Sequence, residues 1–273
     1  MITSTSFPGE IRSLFQEYVD GQPKPYVEKF ARAERPEGRL ATKAGPVATK
    51  VGPIVPLGKV QRLLRPLYGK GEPHPPSIGD HPDFEHLRGT DLEEFRPITT
   101  LFMDMEGSTR LNVLFKPSEV AAIKNAFIRM AIEAVKAFDG HVHRIMGDPV
   151  MAYFGGTSVR HGVAAIDALN CTALLQLLVR NSVIPFLQRH GFDEGFGIRV
   201  GLDHGPESKV LWRSYGYPGM EEITATSFHV DVASKLRHAA GRHQVMVGDS
   251  LREFLDFPDE LLTVRPQPSV IRD

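Results

Sequence analysis

The chain has 273 residues, 41% of them apolar and 24% charged, which excludes a disordered polymer and allows one sizeable core with an appendage. The formal charge is −1 and the pI about 6.8, so no global field draws the protein to nucleic acid or to an anionic membrane. The start, MITSTSFPGEIRSLF, lacks the basic residues followed by an apolar run of roughly 7 to 15 that mark a secretory signal. The longest candidate for a membrane span, GVAAIDALNCTALLQLLV, is interrupted by Asp167, Asn170 and Thr172. A cytoplasmic protein with no nucleic-acid partner and no membrane span is expected. Cys171, the single cysteine, sits in that same stretch and reads as a small buried hydrophobe, not a nucleophile, which excludes disulfides within the chain and Cys-based metal sites.

Residues 8–33 carry Ile11, Leu14, Phe15, Tyr18 and Val19 at helical spacing, interrupted by GQPKP, and predict one amphipathic helix or two short ones. From Arg39 to Lys70 the chain has Arg39, Lys43, Lys50, Lys59, Arg62, Arg65 and Lys70 and no acid. This run reads as a solvated arm wrapping the domain, the alternative being a docking surface for an anionic partner. The composition changes near residue 96, dividing the chain into an N-terminal helical and Pro/Gly-rich arm, 1–96, and a regular domain, 97–273.

From Pro97 the elements follow in order. ITTLFMD is a strand, and KPSEVAAIKNAFIRMAIEAVKAFDG is a helix opened by Pro117 and Ser118 and ended at Gly140. HVHRIMGDPVMAYFGG forms two strands joined at Gly147-Asp148. A long helix spans VRHGVAAIDALNCTALLQLLVRN, with a second over SVIPFLQRHG. The strand FGIRVGLDHG, a strand around KVLWR, a loop, the helix SFHVDVASKLRHAAG and the short strand QVMVG complete the domain. His141 and His143 alternate on their strand and read as a solvent-facing pair; His204 falls near the expected site; Trp212 belongs to the core or to a dimer interface.

The first six elements run β-α-β-β-α-β, the ferredoxin-like split βαβ of an α/β (α+β) fold. A right-handed crossover makes the first two strands parallel, and the third, joined to the second by a tight turn, runs antiparallel beside the first. The end of strand one then adjoins the start of strand three, and Asp104 and Asp148, 44 positions apart, reach one sheet edge. Singly, each is an ordinary turn residue. Together they repel unless neutralised, and a divalent ion does this, Mg²⁺ or Mn²⁺ binding through one or two carboxylates plus water and phosphate oxygens. The following turn, Met105-Glu106-Gly107-Ser108-Thr109, offers backbone N–H groups to phosphate oxygens, although no GxxxxGK[ST] loop is present.

LFMDMEGST, HRIMGDPVMAYFG, IRVGLDHG and ITATSFHVDVASKL, in this order, resemble the homology domain of class III nucleotidyl cyclases over about residues 97 to 250. The resemblance implies a head-to-tail homodimer with composite sites and two Mn²⁺ or Mg²⁺ ions per site. It also implies Asp104 and Asp148 as the metal pair, with the Met105 carbonyl as a further ligand, and attack of the ribose O3′ on the α-phosphorus with loss of pyrophosphate. Departures from the family refine the reading. The positions that read a purine with Lys and Asp hold Arg144 and Thr224, and the late-helix Asn and Arg are Asp231 and Lys235. Lys235 keeps the charge of the transition-state Arg without its fork; Asp231 either pairs with Lys235 at i, i+4 or contacts ribose. Arg265 or Arg272 is the candidate for the family's phosphate-binding Lys. Arg144 and Thr224 resemble the pyrimidine cyclases of the Pycsar anti-phage systems, whose cyclic UMP or cyclic CMP activates a separate effector. Arg donates only, which favours O4 of uracil and therefore UTP, with CTP the alternative. A purine cyclase and a degenerate module that binds nucleotide without turnover complete the set of readings.

Overall fold

The computed structural model describes residues 13–20, 58–75, 77–192 and 196–263. Its centre is a five-stranded sheet of order β3-β4-β2-β5-β8, built from β2 (Ile98–Glu106), β3 (His141–Ile145), β4 (Val150–Gly155), β5 (Gly197–Gly205) and β8 (Gln244–Val247). All pairs are antiparallel except β5 with β8. The first four strands thus adopt the ferredoxin-like arrangement that the sequence predicts.

Alternation along the central strands assigns two faces. Leu101, Met103, Met105, Ala152 and Phe154 point into the main core, where α4 (Pro117–Ala137) and α5 (His161–Leu178) cover the sheet. Phe102, Met151 and Tyr153 point the other way, into a smaller cluster with Phe84 and Trp212. Helix α4 begins with Pro117 in its first turn, and Glu119 accepts from the Lys116 N–H at 2.8 Å. At its far end the left-handed position falls on Asp139 (φ 59°), while Gly140 is required by packing: a Cβ there would lie 2.7 Å from the Phe154 ring and from Val135. Helix α5 runs through a π-helical turn, Val179–Val183, into α6 (Ile184–Arg189), so the two helices read from the sequence form one rod. Pro185 explains the turn, since it lacks an N–H and its ring would collide with the carbonyl four residues back. This rod is long and apolar enough to cross a bilayer, yet 56% of its most apolar window is buried inside the fold. Cys171 is fully buried there, and burial raises its thiol pKa, as its reading as a hydrophobe requires.

The N-terminal elements belong to the same core. α1 (Leu14–Asp20) buries Leu14, Phe15, Tyr18 and Val19, and α2 (Lys59–Leu64) buries Val60 and Leu64, in the cluster that contains α4. The basic run is not a solvated arm in its described part: Lys59 pairs with Glu17 at 2.6 Å, Arg65 with Asp139 at 2.6 Å, and Lys70 with Asp139 and Asp167 at 2.7 and 2.8 Å. Arg39, Lys43 and Lys50 lie outside the described residues.

A second sheet of order β1-β6-β7 joins β1 (Glu94–Phe95), β6 (Leu211–Tyr217) and β7 (Met220–Thr226). The sequence reading takes β7 for a loop; its polar EE pair and the preceding YPG hide a strand that pairs with all of β6, from Leu211–Thr226 to Tyr217–Met220. Trp212 is fully buried, stacked on Phe84 at 4.0 Å, which places it in the core. Helices α3 (Ser108–Leu114), α7 (Phe228–Ala239) and α8 (Asp249–Phe254) complete the described fold.

His141 and His143 are not a solvent-facing pair. A bulge between Val142 and Arg144 breaks the alternation, and both rings are buried against the Gly79 carbonyl, at 2.9 and 3.0 Å. Burial pushes His143 down to about 4, and His81, whose ring lies 5.0 Å from that of His141, also to about 4. A histidine held neutral in the fold takes up its proton more readily when unfolded. Its contribution to stability is therefore complete above about pH 6.5 and lost as pH falls toward 4, with a slope of up to about 1.4 kcal/mol per pH unit for each ring. The thermal midpoint should hold steady near pH 7 to 8 and drop steeply below about pH 6.5, and His143→Asn should flatten that drop; calorimetry against pH checks both.

Candidate active site

Pairing of Met103 with Val150 across β2 and β4 sets Asp104, one residue beyond, beside the β3–β4 turn that carries Asp148. That turn is closed by a 2.8 Å bond from the Met146 N–H to the Pro149 carbonyl and by Gly147 in the left-handed region (φ 83°). The two carboxylates thus share the sheet edge that the topology assigns them.

Their surroundings differ. Asp104 is buried and balanced by two guanidinium groups. Arg199, its cross-strand neighbour on β5, grips it with two bonds, Nε to Oδ1 at 2.9 Å and Nη2 to Oδ2 at 2.6 Å. Arg237, from α7, donates to Oδ2 at 2.8 Å. Asp148 is more open, with Lys124 of α4 at 3.4 Å.

Arg237 reaches Asp104 because α7 lies directly on β5. At Gly201, in the middle of that strand, a Cβ would fall 2.2 Å from the Ala233 carbonyl oxygen and 2.2 Å from the Arg237 nitrogen. Sequence reasoning passes over Arg199, Arg237 and Gly201. The first was readable from the register of IRVGLDHG against ITTLFMDME; Arg237 needed the helix position.

The donor set suits a hard divalent ion. A carboxylate offers about four lone-pair sites; Oδ2 of Asp104 accepts two hydrogen bonds and Oδ1 one, so Oδ1 retains acceptor capacity. Among the described residues no group of three or more His, Cys, Asp or Glu side chains is poised for a metal.

The turn after Asp104 continues with Glu106, half-buried and 3.9 Å from Arg242, and then Gly107, whose φ of 87° leads into α3. Ser108 is buried at the start of α3 and Thr109 is exposed. The Met105 side chain belongs to the main core. Asp231 and Lys235 lie on the exposed face of α7, away from the Asp104 contacts of Arg237, and the structure shows no side-chain pair between them. His204 is not near the site. It registers with Thr99, five residues or about 17 Å from Asp104 along the strand, and there it bonds Thr99 Oγ1 at 3.0 Å and stacks on Phe254 at 3.9 Å. Arg265 and Arg272 lie outside the described residues.

The two base-reading candidates do come together. Arg144, at the end of β3, lays its Nε and Nη2 on the carboxylate of Glu222 in β7. Thr224, two residues further on the same face of β7, bonds the buried Tyr153 hydroxyl at 3.1 Å, and burial raises that hydroxyl's pKa to about 12. Glu222 also lies 3.2 Å from His143 Nε2.

Residues 90–270 match the family described as Adenylate and Guanylate cyclase catalytic domain. A cytidylate cyclase of Escherichia coli is 45% identical over 209 residues, covering 74% of this chain and 45% of that protein. A uridylate cyclase of Burkholderia cepacia is 23% identical over 190 residues, covering 69% of this chain and 79% of that protein. The chain spans less than half the length of the cytidylate cyclase it matches. The adenylyl cyclase CyaB from P. aeruginosa shares the fold, with a TM-score of 0.54 at 17% identity over 60% of this chain and 82% of that one.

Gly201→Ala tests how the site is assembled. The added methyl meets helix backbone, which cannot swing aside, so α7 must shift and carry Arg237 away from Asp104. A loss of about 1 to 3 kcal/mol in urea denaturation is expected, whereas Gly162→Ala, which meets nothing within 4 Å, should change stability little.

Proposed function

This chain belongs to the family of adenylate and guanylate cyclase catalytic domains, and we propose that it converts CTP to 3′,5′-cyclic CMP and pyrophosphate. The observation that carries the reading is the placement of Asp104 and Asp148 on one edge of the sheet, within a chain 45% identical to a cytidylate cyclase. The preference for UTP drawn from Arg144 alone is replaced. That preference assumes a guanidinium free to face the base, and Arg144 shares its fork with Glu222. UTP remains the second reading, supported by the donor-only chemistry of Arg144 and by the more distant uridylate cyclase.

Asp104 and Asp148 would hold two Mn²⁺ or Mg²⁺ ions, with the Met105 carbonyl as a further ligand. Once bound, the ions supply charge neutralisation for the triphosphate and a lower pKa for the ribose 3′-hydroxyl. In the reaction the O3′–Pα bond forms as the bond from Pα to the α,β-bridging oxygen breaks and pyrophosphate leaves, and the O3′ proton passes to solvent water. Arg199 fixes the Asp104 carboxylate in one orientation, and Arg237 keeps the buried charge balanced before substrate arrives. The turn Glu106, Gly107, Ser108 and Thr109 lies against the phosphates. Lys235 and Asp231, exposed on α7, act in the site of a second copy, where Lys235 meets charge developing on the phosphates and Asp231 meets ribose. Tyr217, Met220 and Phe228 are exposed apolar side chains next to these elements, suited to contact with that copy. In a head-to-tail homodimer each site is therefore composite. Cyclic CMP made in the cytoplasm would act on a separate cyclic-nucleotide-binding effector, in the manner of anti-phage signalling.

The test is incubation of the chain with Mn²⁺ and an equimolar mixture of ATP, GTP, CTP and UTP, with mass identification of the products. Cyclic CMP as the dominant product is expected; cyclic UMP would restore the second reading, and a purine product would refute both. Asp104→Ala and Asp148→Ala should each lower turnover by at least about 100-fold. Equal rates in wild type and variants would remove the carboxylates from the mechanism.

A further inference from the structure

We propose that Glu222 is the residue that selects cytosine, by accepting a hydrogen bond from the 4-amino group while Arg144 donates to the ring edge beside it; this rests on the cytidylate reading. Nothing in the motif blocks points to Glu222, because the sequence reading assigns its segment to a loop. The fold makes it a neighbour of Arg144: β7 pairs with β6, and the bulge in β3 turns Arg144 toward β7.

The chemistry follows from the shared fork. Arg144 spends Nε and one Nη2 hydrogen on Glu222 and keeps its Nη1 hydrogens and the second Nη2 hydrogen. Glu222 gives one lone pair on each oxygen to Arg144 and keeps acceptor capacity on both, with a side chain that is 37% exposed. Side by side, the pair presents an acceptor followed by donors. Cytosine shows the complement along its Watson–Crick edge, with N4–H₂ as donor and N3 and O2 as acceptors. Uracil reverses the first two, setting O4 against the carboxylate and N3–H against the guanidinium. Carboxylate recognition of a cytosine amine is established chemistry in nucleic-acid readout.

The two-bond fork from Arg144 holds the selector; His143, neutral and spending its Nδ1–H on the Gly79 carbonyl, stands 3.2 Å from Glu222 Oε1 without a hydrogen bond to it, and Thr224, anchored to Tyr153, lies on the same face of β7. The carboxylate is thereby fixed between two strands, and a fixed acceptor discriminates better than a mobile one because an unpaired group cannot turn away.

The experiment is Glu222→Gln in the full chain, read as the ratio of kcat/KM for CTP to that for UTP. The amide can donate to O4, so the ratio should fall by about 10- to 100-fold, with UTP turnover rising in absolute value; Glu222→Asp should retain part of the preference. If Glu222 only braces Arg144, both substrates lose activity together and the ratio stays constant, which overturns the proposal while the wild type still makes cyclic CMP. A wild type that makes cyclic UMP instead overturns the cytidylate reading and this inference with it. Where turnover is too slow to compare, the ratio of CTP to UTP dissociation constants in wild type and Glu222→Gln reads the same preference.

Discussion

A buried carboxylate at the end of a central strand is the constraint on which the site depends. Asp104 lies where β2 leaves the core, with hydrophobic neighbours behind it, and an unbalanced charge there would cost several kcal/mol. Arg199 and Arg237 balance it, and they come from different elements. The β2–β5 register and the seat of α7 on β5 are therefore both conditions for the charge to be tolerated. In the proposed reading Asp104 and the nearby Asp148 are the edge that receives a cation, and Asp104 is held there by cations that the fold itself supplies.

Much of this was legible in the sequence because it depends on local pattern. The alternating strands, Pro117 at a helix start and the turn at Gly147 fix β2, α4, β3 and β4, and the handedness rule then brings Asp104 and Asp148 together without reference to coordinates. What was not legible depends on exceptions to pattern. His141 and His143 share a face, as alternation requires, but Gly79 covers that face and buries them, and the bulge after Val142 brings Arg144 to it as well. Strand β7 carries its polar residues where a loop would, since its partners lie in a small sheet with one wet side. Arg237 looks like any exposed cation of an amphipathic helix until Gly201 shows how close that helix lies.

The N-terminal segment illustrates the same limit. A run of cations without acids reads as solvated because its partners are far away in sequence. Glu17, Asp139 and Asp167 supply the missing charges from other elements, so Lys59, Arg65 and Lys70 fasten the segment to the core. Charge patterning along one stretch speaks about that stretch alone; pairing is a property of the fold.

The two sheets divide the proposed labour. The five-stranded sheet carries the carboxylates, and its central strands β2, β4 and β5 are buried on both faces, so almost any change there alters stability. The β6–β7 hairpin has a side open to solvent and holds Glu222 and Thr224. The proposal puts base preference in its polar groups and in Arg144, which reaches it from the end of β3. Substituting a half-exposed hairpin residue leaves the register of β2, β4 and β5 intact, and with it the phosphoryl chemistry. One catalytic edge can in this way serve different bases, the choice being made by side chains that the core does not need.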